Sequence, residues 1–154
     1  MRIVVASDHA ALDLKAAVVR HLEDLGHAVT DIGTHTADST DYPIWGAAAA
    51  KLVVSGDYDR GIVFCGTGLG IGIAANKVAG ARCATCTEPF SATLARAHNN
   101  ANMLALGARV LGPDLANACV DAFLATDFLG GRHARRVEEL ATLDAGDDLP
   151  LPAA

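Results

Sequence analysis

Short apolar runs alternate along this chain with longer stretches in which apolar residues recur every three or four positions. Ile3 to Ala6 is the first run; from Ala10 to Leu25, residues Leu12, Leu14, Val18, Val19, Leu22 and Leu25 keep roughly helical spacing until Gly26. The same order then repeats. Ala28 to Ile32 precedes a helix over about Ile44 to Val54, Gly61 to Phe64 precedes one from about Gly70, and Arg82 to Cys86 precedes Phe90 to Ala97. Asn102 to Leu106 and a helix over about Pro113 to Leu124 close the series. Five such repeats with short apolar strands predict an α/β fold, a five-stranded parallel sheet with helices on both faces. An extra C-terminal helix, Arg132 to Leu143, carries Val137, Leu140 and Leu143 on one side. Residues 1–144 read as one domain, and 145–154 as a tail that is mobile or draped on a partner.

Size and composition agree with that pattern. A chain of 154 residues has the usual length of one domain and can bury a core without disulfides or metal. With 51% hydrophobic residues, 19% charged and only 5% aromatic, it suits a close-packed α/β protein rather than a disordered or fibrous one. A formal net charge of −6 argues against a broad nucleic-acid surface, although Arg132, Arg135 and Arg136 can still hold one small anion. The first apolar run stops at Ser7-Asp8-His9, far short of a signal-peptide core, and no later run approaches a membrane span. The expectation is a cytoplasmic protein with neither nucleic acid nor membrane as partner.

The cysteines at 65, 83, 86 and 119 then read as buried or reactive thiols rather than a disulfide set. Cys83 and Cys86 lie three apart in a predicted strand, so their side chains point to opposite faces, and no second Cys or His pair completes a zinc site. Both are expected in the core.

In an open parallel sheet, ligands gather beyond the carboxyl ends of the strands. Asp8-His9 follows the first strand there and Cys65-Gly66-Thr67-Gly68 the third. The glycine-rich run is no dinucleotide fingerprint, because the last glycine of G-x-G-x-x-G is replaced by Ile71 or Ile73. Nor is it a P-loop, which needs Gly-Lys-Ser/Thr, or a cysteine phosphatase loop, whose closing arginine would fall where Ile71 stands. What remains is a loop whose amides from Gly66 through Gly68 and Leu69 to Gly70 open a helix and can receive an oxyanion. A thiol at a helix start is drawn toward thiolate, which makes Cys65 a candidate proton acceptor. The plain alternative is a tight turn with a buried cysteine.

Four further features carry similar alternatives. His98, with Asn99 and Asn100 at the end of the fourth helix, is either a helix cap or a catalytic group. It precedes the fifth strand and so belongs to the amino edge of its own sheet; joining Asp8 and Cys65 would require a second subunit. Arg132 and Arg136, four apart on one helical face, either grip a phosphate or form a solvated basic turn, and Arg109 past the fifth strand has the same two readings. Tyr42, at the helix entrance Asp41-Tyr42-Pro43, either packs or reaches a ligand. His21, His27 and His35 read as surface residues.

Taken together, the chain resembles the type B ribose-5-phosphate isomerase family, which includes galactose-6-phosphate isomerase subunits. The resemblance spans roughly residues 2–143 and rests on Ser7-Asp8-His9-Ala10, Thr40-Asp41-Tyr42-Pro43, Cys65-Gly66-Thr67-Gly68-Leu69-Gly70, Ile73-Ala74-Ala75-Asn76-Lys77, His98-Asn99-Asn100-Ala101-Asn102, Leu106-Gly107-Ala108-Arg109 and Gly130-Gly131-Arg132-His133. It implies a Rossmann-like three-layer sandwich, a homodimer or dimer of dimers with sites shared between subunits, and no metal or organic cofactor. The implied reaction interconverts D-ribose 5-phosphate and D-ribulose 5-phosphate through an enediolate; the alternatives are another phosphorylated aldose or a non-catalytic sugar-phosphate-binding module. By position, Cys65 would move the proton, Thr67 and the amides of Gly66 to Gly70 would hold the enediolate, and His98 would assist ring opening. Asp8 would bind the ring oxygen or hydroxyls; His9, Arg132 and Arg136 would hold phosphate; Tyr42, Asn99 and Arg109 would line the site. Some members use a glutamate base where Ile71 stands here, so the cysteine mechanism is favoured. Ala11, Gly72 and Trp45 depart from the family pattern, and Trp45 is expected to alter the pocket wall.

Overall fold

Strands form where the apolar runs lie, and prolines stand in the first turn of three of the helices. The computed structural model describes residues 1–151; the last three residues of the expected tail lie outside the described residues. The strands are β1 (Arg2–Ser7), β2 (Ala28–Asp31), β3 (Arg60–Cys65), β4 (Cys83–Thr85) and β5 (Met103–Gly107). The helices are α1 (Leu12–Asp24), α2 (Tyr42–Val54), α3 (Leu69–Ala75), α4 (Pro89–Asn99), α5 (Pro113–Ala125) and α6 (Arg132–Asp144).

Boundaries differ from the sequence expectation for local reasons. The stretch after β1 opens as a 3-10 turn, His9–Ala11, because the Asp8 carboxylate accepts the Ala10 amide at 2.9 Å. Helix α2 starts two residues before Ile44, with Pro43 in its first turn, where a missing N–H costs nothing. Helix α4 is capped by Glu88, whose side chain accepts the Ser91 amide at 2.9 Å, and stops at Asn100, which turns left-handed at φ 45°. The histidines expected at the surface are less idle than their spacing suggests. His21 Nε2 lies 2.6 Å from Asp121, joining α1 to α5, and His27 Nδ1 lies 3.3 Å from the Met1 amino group.

All strand pairings are parallel, in the order β2-β1-β3-β5-β4. One face of the sheet, through Ile3, Val5, Ile62, Phe64, Leu104 and Leu106, packs on α1, α4 and α5. The other, through Val4, Ala6, Val63, Met103 and Ala105, packs on α2 and α3, giving the three layers. Cys86 belongs to the first cluster and Cys83 to the second, on opposite faces as their spacing predicts. Burial pushes the Cys83 thiol up to about 12 and the Cys86 thiol up to about 11, which keeps both protonated and inert. No described helix is long and apolar enough to cross a membrane.

Candidate active site

The chain leaves β1 for β2 on one side and then crosses from β2 to β3 on the other side of β1, so a crevice opens where β1 and β3 end. Register decides which residues meet in it. Ser7 pairs with Phe64 and Cys65 with Gly107, which sets Asp8 beside Cys65 and brings Arg109 round to the same edge. The Arg109 amide donates to the Gly66 carbonyl at 2.9 Å, tying the ends of β3 and β5 together. Asp8, His9, Tyr42, Cys65 and Arg109 thus border one cavity of about 330 Å³, with Gly66, Thr67 and Gly70 as its floor.

The glycines of the loop have separate steric tasks. Gly68 adopts φ 78°, and a Cβ there would lie 2.9 Å from the Leu106 carbonyl carbon. A Cβ on Gly70 would lie 2.7 Å from the Tyr42 ring, so the glycine lets that aromatic close over the start of α3. The loop amides are divided as well. Gly68 N–H donates to Cys65 Sγ at 3.2 Å, and Leu69 N–H reaches Thr67 Oγ1 at 3.4 Å. The amides of Gly66 and Thr67 have no acceptor among the described residues. Of the run expected to receive an oxyanion, then, Gly68 instead supports the sulfur and Leu69 is turned outward, 58% exposed. The donated N–H fixes the position of the sulfur, and two bare amides beside it favour negative charge on an oxygen.

His98, Asn99, Arg132 and Arg136 are not in this cavity. His98 stands in the last turn of α4, before β5, and its ring stacks on His133 of α6 with centroids 4.2 Å apart and planes 5° from parallel. The Leu129 amide, donating to the Ala97 carbonyl at 3.0 Å, ties the approach to α6 to this end of α4. Asn99 lines a separate cavity of about 440 Å³ with Arg82, Leu140 and Asp144. The His133 imidazole is held below its ordinary value by burial first, and then by His98 and the Arg132 and Arg136 charges.

A sequence profile described as Ribose/Galactose Isomerase matches residues 3–140. The chain belongs to that family. Among its relatives, "Ribose-5-phosphate isomerase B" of Escherichia coli (strain K12) is 46% identical, the match covering 93% of this chain and 96% of that protein. "D-erythrulose-4-phosphate isomerase" of Pectobacterium atrosepticum is 42% identical over 91% of this chain and 93% of that one. The solved structure of Clostridium thermocellum ribose-5-phosphate isomerase B superposes with a TM-score of 0.93 at 50% identity, covering 95% of this chain and 99% of that one. The fold is therefore that of the ribose/galactose isomerase family, including the parallel sheet and its crevice.

One group that supports the site, Lys15, escapes sequence reasoning, and another, Trp45, acts differently from its expectation. Lys15, only 3% exposed, places its Nζ 2.8 Å from an Asp31 carboxylate oxygen and donates to the Thr34 carbonyl at 2.7 Å, clamping the loop after β2. Its signal was a lysine on the inward arc of α1, between Leu14 and Val18. Trp45, expected to alter the pocket wall, does not border the cavity. Its indole N–H donates to Thr40 Oγ1 at 3.2 Å, and the Thr40 amide donates to His9 Nδ1 at 3.1 Å.

Proposed function

We propose that the protein is a ribose-5-phosphate isomerase interconverting D-ribose 5-phosphate and D-ribulose 5-phosphate. The observation that carries this reading is the Cys65 thiol, held by the Gly68 amide, beside the bare amides of Gly66 and Thr67 and in one cavity with Asp8. From the open-chain aldose, Cys65 as thiolate takes the proton from C2 and becomes the thiol. The C–H electron pair becomes the C1–C2 double bond, and the carbonyl π pair moves to O1. The enediolate is held by the Gly66 and Thr67 amides and the Thr67 hydroxyl. The proton returns at C1 while O2 gives up its proton and becomes the ketone oxygen, O1 being protonated in turn. Hydrogen has moved between carbons, with no net loss of electrons and no cofactor consumed.

Asp8 binds the ring oxygen or hydroxyls, Tyr42 and Arg109 wall the cavity, and His9 faces the phosphate. The amino-edge groups reach this cavity in a homodimer, where His98 and Asn99 of one copy, with Arg132 and Arg136, complete the site of the other. The exposed guanidinium groups of Arg132 and Arg136 on α6 support that arrangement, because two arginines one turn apart grip a phosphate from two sides. Under this reading the enzyme works in the cytoplasm, in pentose phosphate metabolism.

A panel of phosphorylated aldoses compared by kcat/KM, with exchange of the C2 proton into solvent followed in parallel, tests the proposal. The expected result is a preference for ribose 5-phosphate with exchange. A preference of about tenfold or more for a tetrose or hexose phosphate overturns the ribose assignment. Binding without exchange overturns the isomerase.

A further inference from the structure

We propose that Trp45 and Thr40 are positioning residues for His9, holding its imidazole with the proton on Nε2 so that it presents an N–H donor to the anionic end of the substrate. A backbone N–H can only donate, and the Thr40 amide meets His9 Nδ1 at 3.1 Å. Nδ1 is therefore the bare nitrogen, and a neutral ring must carry its proton on Nε2. An N–H serves a phosphate or sugar oxygen, whereas the other tautomer would set a lone pair against it. His9 borders the same cavity as Cys65, so the choice of tautomer is made at the site itself.

Thr40 is not left to find His9 on its own. Its hydroxyl accepts the Trp45 indole N–H at 3.2 Å, and the Trp45 ring, half-buried, packs against the cluster of Val4, Ala6 and Ala49 under α2. The loop that ends at Thr40 is fixed at its start too. Lys15 grips Asp31 and the Thr34 carbonyl, the Gly33 amide donates to Asp31 Oδ1 at 2.9 Å, and the Thr34 amide donates to the Ser7 carbonyl at 3.1 Å. The loop from β2 to α2 is thus anchored at both ends, and its second anchor needs a side chain with an N–H. Phenylalanine at position 45 would keep an aromatic ring but lose the donor. Trp45, through Thr40, supplies a hydrogen-bonded support for His9.

The substrate-directed part of this proposal rests on the sugar-phosphate reading; the tautomer does not. The decisive measurement is the 15N–1H spectrum of histidine-labelled, substrate-free protein at about pH 8, where an ordinary histidine is neutral. The His9 signal is assigned by its loss in His9→Gln. Wild type is expected to carry the proton on Nε2, with slow exchange of the Thr40 amide. In Trp45→Phe the Thr40 amide should exchange faster, and KM for ribose 5-phosphate should rise roughly three- to tenfold with kcat within about twofold, the loss of one neutral hydrogen bond felt through one residue. Thr40→Val removes the same contact from the other side and should match it, and the double variant should be no worse than either single one. A proton on Nδ1 in wild type overturns the proposal, as does unchanged Thr40 exchange and KM in both single variants. If Nε2 carries the proton but no sugar phosphate is isomerised, the enzymatic reading falls and the positioning of the ring stands.

Discussion

At the carboxyl edge of the sheet the candidate groups support one another within a single chain; at the amino edge Arg132 and Arg136 stand exposed, and no acid pairs with them among the described residues. Asp8 is buried and caps a turn, Cys65 receives an amide, and His9 receives another. Opposite, Arg132 and Arg136 are exposed, on the helix whose His133 stacks in parallel on His98. A parallel sheet explains the contrast. Every strand ends at the same edge, so one chain can assemble a crevice there, but residues preceding a strand are delivered to the far side, and in the proposed homodimer they meet the other copy's crevice. The pre-formed edge is suited to proton transfer, which needs fixed distances, and the exposed edge to holding a charged group, which tolerates longer and more mobile side chains.

The sharpest test of this division is Cys65→Ala. It should lower kcat by about a thousandfold, within the range for loss of a positioned acid–base group, while KM stays near wild type. Near-native turnover in a steady-state assay would move the chemistry away from the carboxyl edge. Arg132→Ala or Arg136→Ala should instead raise KM by roughly tenfold or more with kcat little changed. A pure kcat loss would show that the amino edge does more than bind. Mixing Cys65→Ala with His98→Asn subunits should restore about a quarter of wild-type activity, because half the dimers pair unlike copies and each of those holds one intact site. No recovery in verified heterodimers would return both edges to one chain.

Smaller effects separate the two edges by stability. Gly68→Ala forces a side chain into φ 78° and against the Leu106 backbone at 2.9 Å, and should cost roughly 1–3 kcal/mol by thermal or urea denaturation. At the amino edge, acid should act first on the docking of α6. Because His133 is held below its ordinary value in the fold, the unfolded ring takes a proton first; the stack is at full strength above about pH 6.5 and weakens as pH falls below it. Protection of the α6 amides against hydrogen exchange, corrected for the intrinsic rate at each pH, should therefore fall on acidification before that of β1 and β3. Equal acid sensitivity in both regions would remove the contrast.

Much of this was legible in the residues themselves. Apolar runs alternating with helical spacing determine the layered α/β fold, because strands buried on both faces must be continuously apolar while helices need only one apolar stripe. The order of motifs also places Asp8 and Cys65 at the carboxyl ends of strands, Cys65 being the last residue of β3, and His98 before β5. What no local pattern contains is register and strand order. Only the pairing of Ser7 with Phe64 and of Cys65 with Gly107 sets Asp8, Cys65 and Arg109 around one cavity, and only packing shows that the Gly68 amide serves the thiol rather than a ligand. Lys15 and Trp45 mark the same boundary. Their partners lie 16 residues and 5 residues away, across turns whose geometry depends on what they pack against. Periodicity records how each element buries itself; which polar groups then face one another is decided only when the elements close together.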